Sequence, residues 1–290
     1  MLVIYKHREM SYDQDWHDGF ASVGWDLHEY RKGTSFHDLT VILHSVTAQW
    51  GDIPRWIYDE AGRRGDKKLV LFIGNEFKLF EEKIKLAKDL GVDFIATQLR
   101  KEDAERIYGL PVIEVPHALN PKQFFPRIGC AKRPFDIGVR GAQYKPEVGD
   151  NDRNTVVSPK LWKGLKSDCL HGKSELLKRG EWAKKLSTWR TMPSTESGLI
   201  DAKCISSRHF DAIGSLTCLV MYPGKFNGVL NESHYIRLEK DHSNLGEVKD
   251  KIRDVAYCEG LVSKAREYLL DCHTHEHRAR QVMEVFNRSR

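Results

Sequence analysis

Short apolar runs alternate with stretches of helical spacing through the first part of the chain. "LVIY" at 2–5, "LTVILHSVTA" at 39–48 and "KLVLFIGN" at 68–75 are nearly unbroken apolar runs, as are "VDFIATQ" at 92–98 and "PVIEVPHAL" at 111–119. Runs of this length without polar alternation are the pattern of strands buried on both faces. Between them lie "IPRWIYDEAGRRG" at 53–65, "FKLFEEKIKLAKDLG" at 77–91 and "KEDAERIYG" at 101–109. These repeat apolar residues at helical spacing and end at glycine, and Pro54 sits where a first helical turn tolerates it. Strand and helix in alternation predict a parallel sheet with helices on its faces.

The alternation then breaks. "NPKQFFPRIGCAKRP" at 120–134 holds three prolines and little periodicity, and reads as a linker. It restarts at "FDIGVRGAQY" (135–144) and continues through "SDCLHG", "EWAKKLSTWR" and "GLIDAKCIS" to "CISSRHFDAIGSLTCLVMYPGKFNGVL" at 204–230. Residues 245–286 are mostly helical in pattern. The expected architecture is α/β: two Rossmann-like domains, 1–125 and 126–290, facing across a cleft. Clefts between domains are favoured ligand sites.

Composition changes this picture little. The 290 residues are 40% hydrophobic and 30% charged, an ordinary globular balance. The net charge of +5 suits anionic ligands without requiring nucleic acid. No apolar run approaches the ~18 residues of a bilayer span. The start, "MLVIYKHREM", reads as a strand broken by charges rather than a signal peptide. Six cysteines without a C-x-x-C pair fit reduced thiols, and a cytoplasmic protein is expected.

The 204–230 stretch sets an acid, a glycine turn, a buried strand and a glycine-rich loop in order. Gly224 and Gly228 let backbone approach a ligand closely, Lys225 offers a charge, and Phe226 and Asn227 complete the loop. Asp211 could accept hydrogen bonds from sugar hydroxyls, with the glycine loops on phosphates. The structural alternative is plain turns and a helix cap at Asp211. Arg140, followed by Gly141, stands at the end of the 135–139 run, with Lys145 and Arg153 further along. His44 at a strand end and His117 near the domain crossover are either candidate general bases facing the cleft or histidines satisfied by backbone at a strand end. Asp52, in "QWGDIP", is either a base or a helix cap. In "HTHEH", His273 and His277 would share a helix face at i, i+4, but apart from Cys272 no further ligand completes a zinc set. Residues 158–190 carry nine Lys/Arg against three Asp/Glu, with Trp162, Trp182 and Trp189 interleaved. Such a segment either binds nucleic acid or turns tryptophan to a core and lysine to water.

The order "RHFDAIGSLTCLVMYPGKFNGVL", then "HYIRLEKDHSNLGEV", then "YLLDCHTHEHRARQV" resembles the C-terminal half of family-one-like glycosyltransferases, in particular the spore-maturation-type group with the GT-B architecture. "IPRWIYDEAG", "DFIATQ" and "VPHALNPKQFFP" are similar to the end of the acceptor domain and its crossover, and "RPFDIGVRGAQY" to the first strand and donor loop of the second domain. "STESG" at 194–198 has a counterpart at the corresponding place. The resemblance spans residues 53–286 and rests most on those from 195 onward. It implies transfer of a sugar from a nucleoside-diphosphate sugar, UDP-linked, to an acceptor hydroxyl, with no metal and no separate cofactor. It also implies a donor site drawn from Gly141, Glu196, Ser197, Gly198, Asp211 and residues 224–227, with Asp211 on the ribose, and a donor loop after the 135–139 run in which Arg140, and less directly Lys145 and Arg153, neutralise the leaving pyrophosphate. The chain departs from the family's two glutamates. Asp211 stands at the second position and Lys203 where the first would be, and Glu196 is the acid that could replace it. Two other readings follow: a glycosyltransferase acting on hydroxylated DNA bases, and a non-catalytic GT-B-like binder of nucleotide or nucleic acid.

Overall fold

The computed structural model describes residues 1–6, 13–47, 53–74, 79–141, 151–171, 177–199 and 202–288. The chain forms two compact units. One comprises Met1–Pro116, Asp201–Cys204 and His275–Arg290; the other comprises His117–Ile200 and Ile205–Thr274. The expected division at residues 125 and 126 puts the last helix in the second domain, whereas its contacts put it in the first unit.

The first unit runs β1 (Leu2–Tyr5), α1 (Asp13–Ser22), β2 (Asp26–Glu29), β3 (Leu39–Ile42), α2 (His44–Thr47), α3 (Arg55–Arg63), β4 (Lys68–Ile73), α4 (Phe80–Asp89), β5 (Phe94–Thr97), α5 (Lys101–Tyr108) and β6 (Val112–Glu114). The strands form one sheet in the order β2-β1-β3-β4-β5-β6, and every pair in it is parallel. The apolar runs become its buried strands, as their patterning predicts. The run at 39–48 divides. The strand ends at Ile42 and α2 begins at His44, where the Ser45 hydroxyl accepts the Lys6 N–H at 3.1 Å. Helix α1 and edge strand β2 carry too few apolar residues to stand out. In α1, Trp16 and Phe20 lie one turn apart and are fully buried. Left-handed glycines close α4 and α5, with φ of 57° at Gly91 and 61° at Gly109, the conformation that ends helices without a side-chain clash.

The second unit contains β7 (Phe135–Gly141), α6 (Asn151–Val156), β8 (Ser167–His171), α7 (Arg179–Leu186), β9 (Trp189–Ser194), β10 (Ser197–Leu199), α8 (Ser207–Gly214), β12 (Cys218–Met221), β13 (Ile236–Arg237), α9 (Leu245–Arg253) and α10 (Val255–Cys272). The short strand β11 (Ala202–Cys204) falls in the first unit. A five-stranded sheet has the order β13-β12-β9-β7-β8, again parallel throughout.

The proline-bearing segment 120–134 is packed rather than free. Leu119, Phe124 and Cys130 are buried in the second unit's core, and a Cβ on Gly214 would come within 2.4 Å of Leu119. Arg133, 4% exposed, gives its guanidinium to the carbonyls of Trp189 (2.6 Å), Ser215 (2.7 Å) and Ile128, and to the Thr217 hydroxyl. A buried charge needs such complete pairing. The last helix, α11 (His275–Arg288), lies against α1 in the first unit. A Cβ on Gly19 would meet His275 at 2.6 Å, and the His275 ring sits edge-on to Trp16 at 4.6 Å. His273 is the C-cap of α10, not a member of α11, so His273 and His277 do not share a helix face. Among the described residues, no group of three or more metal-ligating side chains comes together. No helix among them is long and apolar enough to cross a membrane, and no disulfide joins the six cysteines.

Candidate donor site in the second unit

In open parallel sheets, ligands bind beyond the carboxyl ends of the strands, where the chain order reverses direction across the sheet. In the second unit that point lies between β7 and β9. The chain goes from β7 outward to β8 on one side, and through β9, β12 and β13 on the other. A pocket opens there, lined by Val139 and Arg140 of β7, Pro193 and Ser194 of β9, Thr195, and Arg208 of α8. Helix α8 starts at this crevice because Ser206 is a cap in extended conformation. The His209 ring Nδ1 accepts the Ser206 N–H at 3.2 Å, closing a capping box with histidine in place of the usual glutamate. Arg208, one residue into the helix, donates to the Arg140 carbonyl at 3.3 Å. A helix N-terminus with an arginine in its first turn favours an anion.

Arg140 borders this crevice, but its guanidinium is committed elsewhere. It donates to Oδ1 of Asp168 at 2.8 Å and to the carbonyls of Asp168 and Val139, and it lies 5.4 Å over the Trp189 ring. Asp168 also takes Lys185 at 2.6 Å and the Trp189 indole N–H at 2.8 Å. Burial works against ionisation of Asp168, yet the hydrogen bonds from Lys185, Trp189 and Arg140 outweigh it and hold its carboxyl below the usual aspartate range. Gly138 makes the arrangement possible, since a Cβ there would lie 1.8 Å from the Trp189 ring.

Asp211, expected to face a ribose, is turned into the unit. It sits mid-helix in α8 with its side chain 3% exposed. Its Oδ2 accepts from Arg179 at 2.8 Å and from the Trp182 indole at 3.0 Å, and its Oδ1 accepts from Arg179 at 3.1 Å. Burial pushes the Asp211 carboxyl up, and the Arg179 guanidinium opposes that push. Arg179 in turn covers the Phe124 ring at 4.4 Å.

Glu196 meets the glycine loop, its Oε1 accepting the Phe226 N–H at 2.8 Å. In that loop Lys225 is exposed, Phe226 is buried, and the Asn227 side-chain oxygen accepts the Ile205 N–H at 3.4 Å. Gly141 ends β7 opposite His171, and Ser197 and Gly198 lie in β10. His44 belongs to the first unit, at the carboxyl end of β3, 2% exposed and 6.4 Å from the Phe72 ring. His117 opens the second unit at 7% exposure. Asp52 and Lys145 lie outside the described residues, and of Arg153 and Lys203 only the backbone is described.

The structure thus brings Arg140, Glu196 and the 224–227 loop to the carboxyl edge of one sheet. Sequence reasoning missed Arg208, Asp168 and Arg179. Arg208 carried a signal, two serines and a basic residue ahead of an apolar helix. The tryptophans of 158–190 face inward: Trp162 and Trp189 are fully buried, and Trp182 is bound to Asp211.

No family model matches the sequence, and neither does any curated protein. Solved structures do share the fold. An α-glucosyltransferase in complex with UDP and a 13-mer DNA aligns at TM-score 0.65 and 10% identity, over 99% of this chain and 98% of that one. A sucrose-phosphate synthase from Thermosynechococcus elongatus aligns at 0.62 and 10%, over 99% and 98%. HepE from Anabaena, in complex with UDP and glucose, aligns at 0.59 and 7%, over 99% and 98%. The chain has the GT-B fold, two Rossmann-like domains in one polypeptide.

Proposed function

We propose that the protein is a glycosyltransferase that moves a sugar from a UDP-linked donor to an acceptor hydroxyl. The observation that carries this reading is the crevice between β7 and β9, where the α8 N-terminus and Arg208 converge at the sheet's switch point. The transferred sugar leaves a diphosphate on which negative charge grows, and prearranged positive groups stabilise it. Arg208 and the α8 backbone N–H groups take that part, with Lys225 available from the exposed loop. Arg140 acts at one remove, since its guanidinium holds Asp168 while its carbonyl receives Arg208. These groups meet the charge without a divalent metal. The UDP bound in two similar structures supports the choice of donor.

Within this class, the segments from 195 onward favour the spore-maturation-type group. The acceptor belongs to the first unit. Its sheet order β2-β1-β3 reverses between β1 and β3, and His44 stands directly beyond β3 as the candidate base. His117 and Asp52 are the other acids and bases proposed for that role. A DNA acceptor is not favoured, because the tryptophans that suggested nucleic-acid stacking are engaged within the second unit. A thermal-shift panel of nucleoside diphosphates and their sugars tests the donor, since a ligand of the folded state raises the melting temperature. Stabilisation by UDP and UDP-sugars supports the reading, and no shift with any nucleotide refutes it.

A further inference from the structure

We infer that Glu196 is a positioning residue that holds the glycine loop at 223–228 in an otherwise unfavourable shape, rather than a direct ligand of the donor. The loop's backbone is unusual. Phe226, Asn227 and Gly228 follow one another in the left-handed region, at φ of 46°, 50° and 68°. Only glycine adopts that region freely, so two successive residues with side chains must be held there by something else. Three observations identify what holds them. The Glu196 carboxylate accepts the Phe226 N–H at 2.8 Å. The Phe226 ring is buried against Tyr235, edge-on at 5.3 Å. The Asn227 side chain reaches back to Ile205, just ahead of α8.

Gly224 is shaped to the same contact. Its φ is not in the left-handed region, so backbone freedom does not explain the glycine. A Cβ there would lie 2.5 Å from Glu196 Oε2 and 2.8 Å from the Phe226 ring. The carboxylate therefore lies against the bare Cα of one loop residue and accepts the N–H of another. Glu196 directly follows Thr195 of the crevice, two residues beyond the end of β9, and β9 pairs with β12, which leads into the loop. One charged side chain thus ties together the loops beyond two neighbouring strands. It follows that the Phe226 N–H, expected to receive a donor phosphate, already has an anionic partner. This assignment rests on the donor reading above only for its effect on turnover.

The test has a structural and a functional readout. In the full chain, exchange of the Phe226 amide proton is followed by NMR in the wild type, Glu196→Ala, Glu196→Gln and Gly224→Ala. Losing a hydrogen bond to a charged group should speed exchange about 10- to 100-fold in Glu196→Ala. Glu196→Gln keeps a carbonyl acceptor and should restore most of the protection. Gly224→Ala should resemble Glu196→Ala, and the double variant should be no worse than either single one. With a UDP-sugar as probe, KM should rise about tenfold in Glu196→Ala and recover in Glu196→Gln. Unchanged exchange in Glu196→Ala overturns the inference. So does a raised KM with unchanged exchange, which makes Glu196 a direct contact, whereas faster exchange with unaltered KM keeps Glu196 as the holder of the loop and removes only the loop's effect on the donor. Should the wild type turn over no UDP-sugar, the donor reading fails, and the exchange rates still decide whether Glu196 holds the loop.

Discussion

Asp211→Asn separates a buried ion pair from a ribose contact. The substitution keeps the side chain's size and removes its charge. Arg179 would then keep its guanidinium, 16% exposed, facing a neutral amide. The amide nitrogen, itself a donor, would point at Arg179 or Trp182, both of which donate to Asp211 now. Breaking one side of a buried pair costs about 3–5 kcal/mol. At roughly 2–4 °C per kcal/mol for a unit of this size, the melting temperature of the second unit should fall by about 6–20 °C. Replacing both partners with apolar residues, Asp211→Leu with Arg179→Met, should recover most of that loss, because no uncompensated charge remains. UDP affinity of the folded Asp211→Asn protein, measured by calorimetry well below its melting point, should be unchanged. Wild-type stability together with a ten- to hundredfold loss of UDP affinity would refute the reasoning and return Asp211 to the ribose.

Three further outcomes follow. Burial, with Lys264 nearby, holds the His234 pKa below the usual histidine value, so the unfolded chain takes a proton that the folded unit resists. His234 therefore lowers stability as pH falls below about 6.5, and Asp168, whose carboxyl is held low, adds a second loss below about 3.9. Denaturant melts from pH 8 to pH 3 should show both steps, with the first absent in His234→Gln. His44→Gln should cut kcat by about 10²-fold or more with donor KM little changed, the size of effect expected for a general base. Turnover of a UDP-sugar should survive EDTA, and an activity restored only by a divalent cation would remove the metal-free reading.

Much of the fold was legible because parallel strands buried on both faces leave continuous apolar runs, as at 68–73 and 218–221. Helix α1 was not, because Trp16 and Phe20 do most of its anchoring among polar neighbours. The orientation of Asp211 was hidden for a different reason. Residues 209–214 are all buried, so α8 has no polar face from which an inward-pointing acid could be told from an outward one. Its partner Arg179 lies 32 residues away, and the Glu196 contact to Phe226 spans 30. Pairings at such separations are set by the sheet order, which no local pattern encodes. Arg208 was readable in principle, since its place follows from the serine cap.

The most direct test of the central claim is calorimetric titration of UDP into the wild type and Arg208→Ala. UDP should bind the wild type saturably. Arg208→Ala should lose about one to two powers of ten in affinity, the worth of one hydrogen bond to a charged group, with the melting temperature of the free protein little altered. Wild-type protein that binds no nucleoside diphosphate, or Arg208→Ala that binds UDP as tightly as the wild type, would contradict that claim.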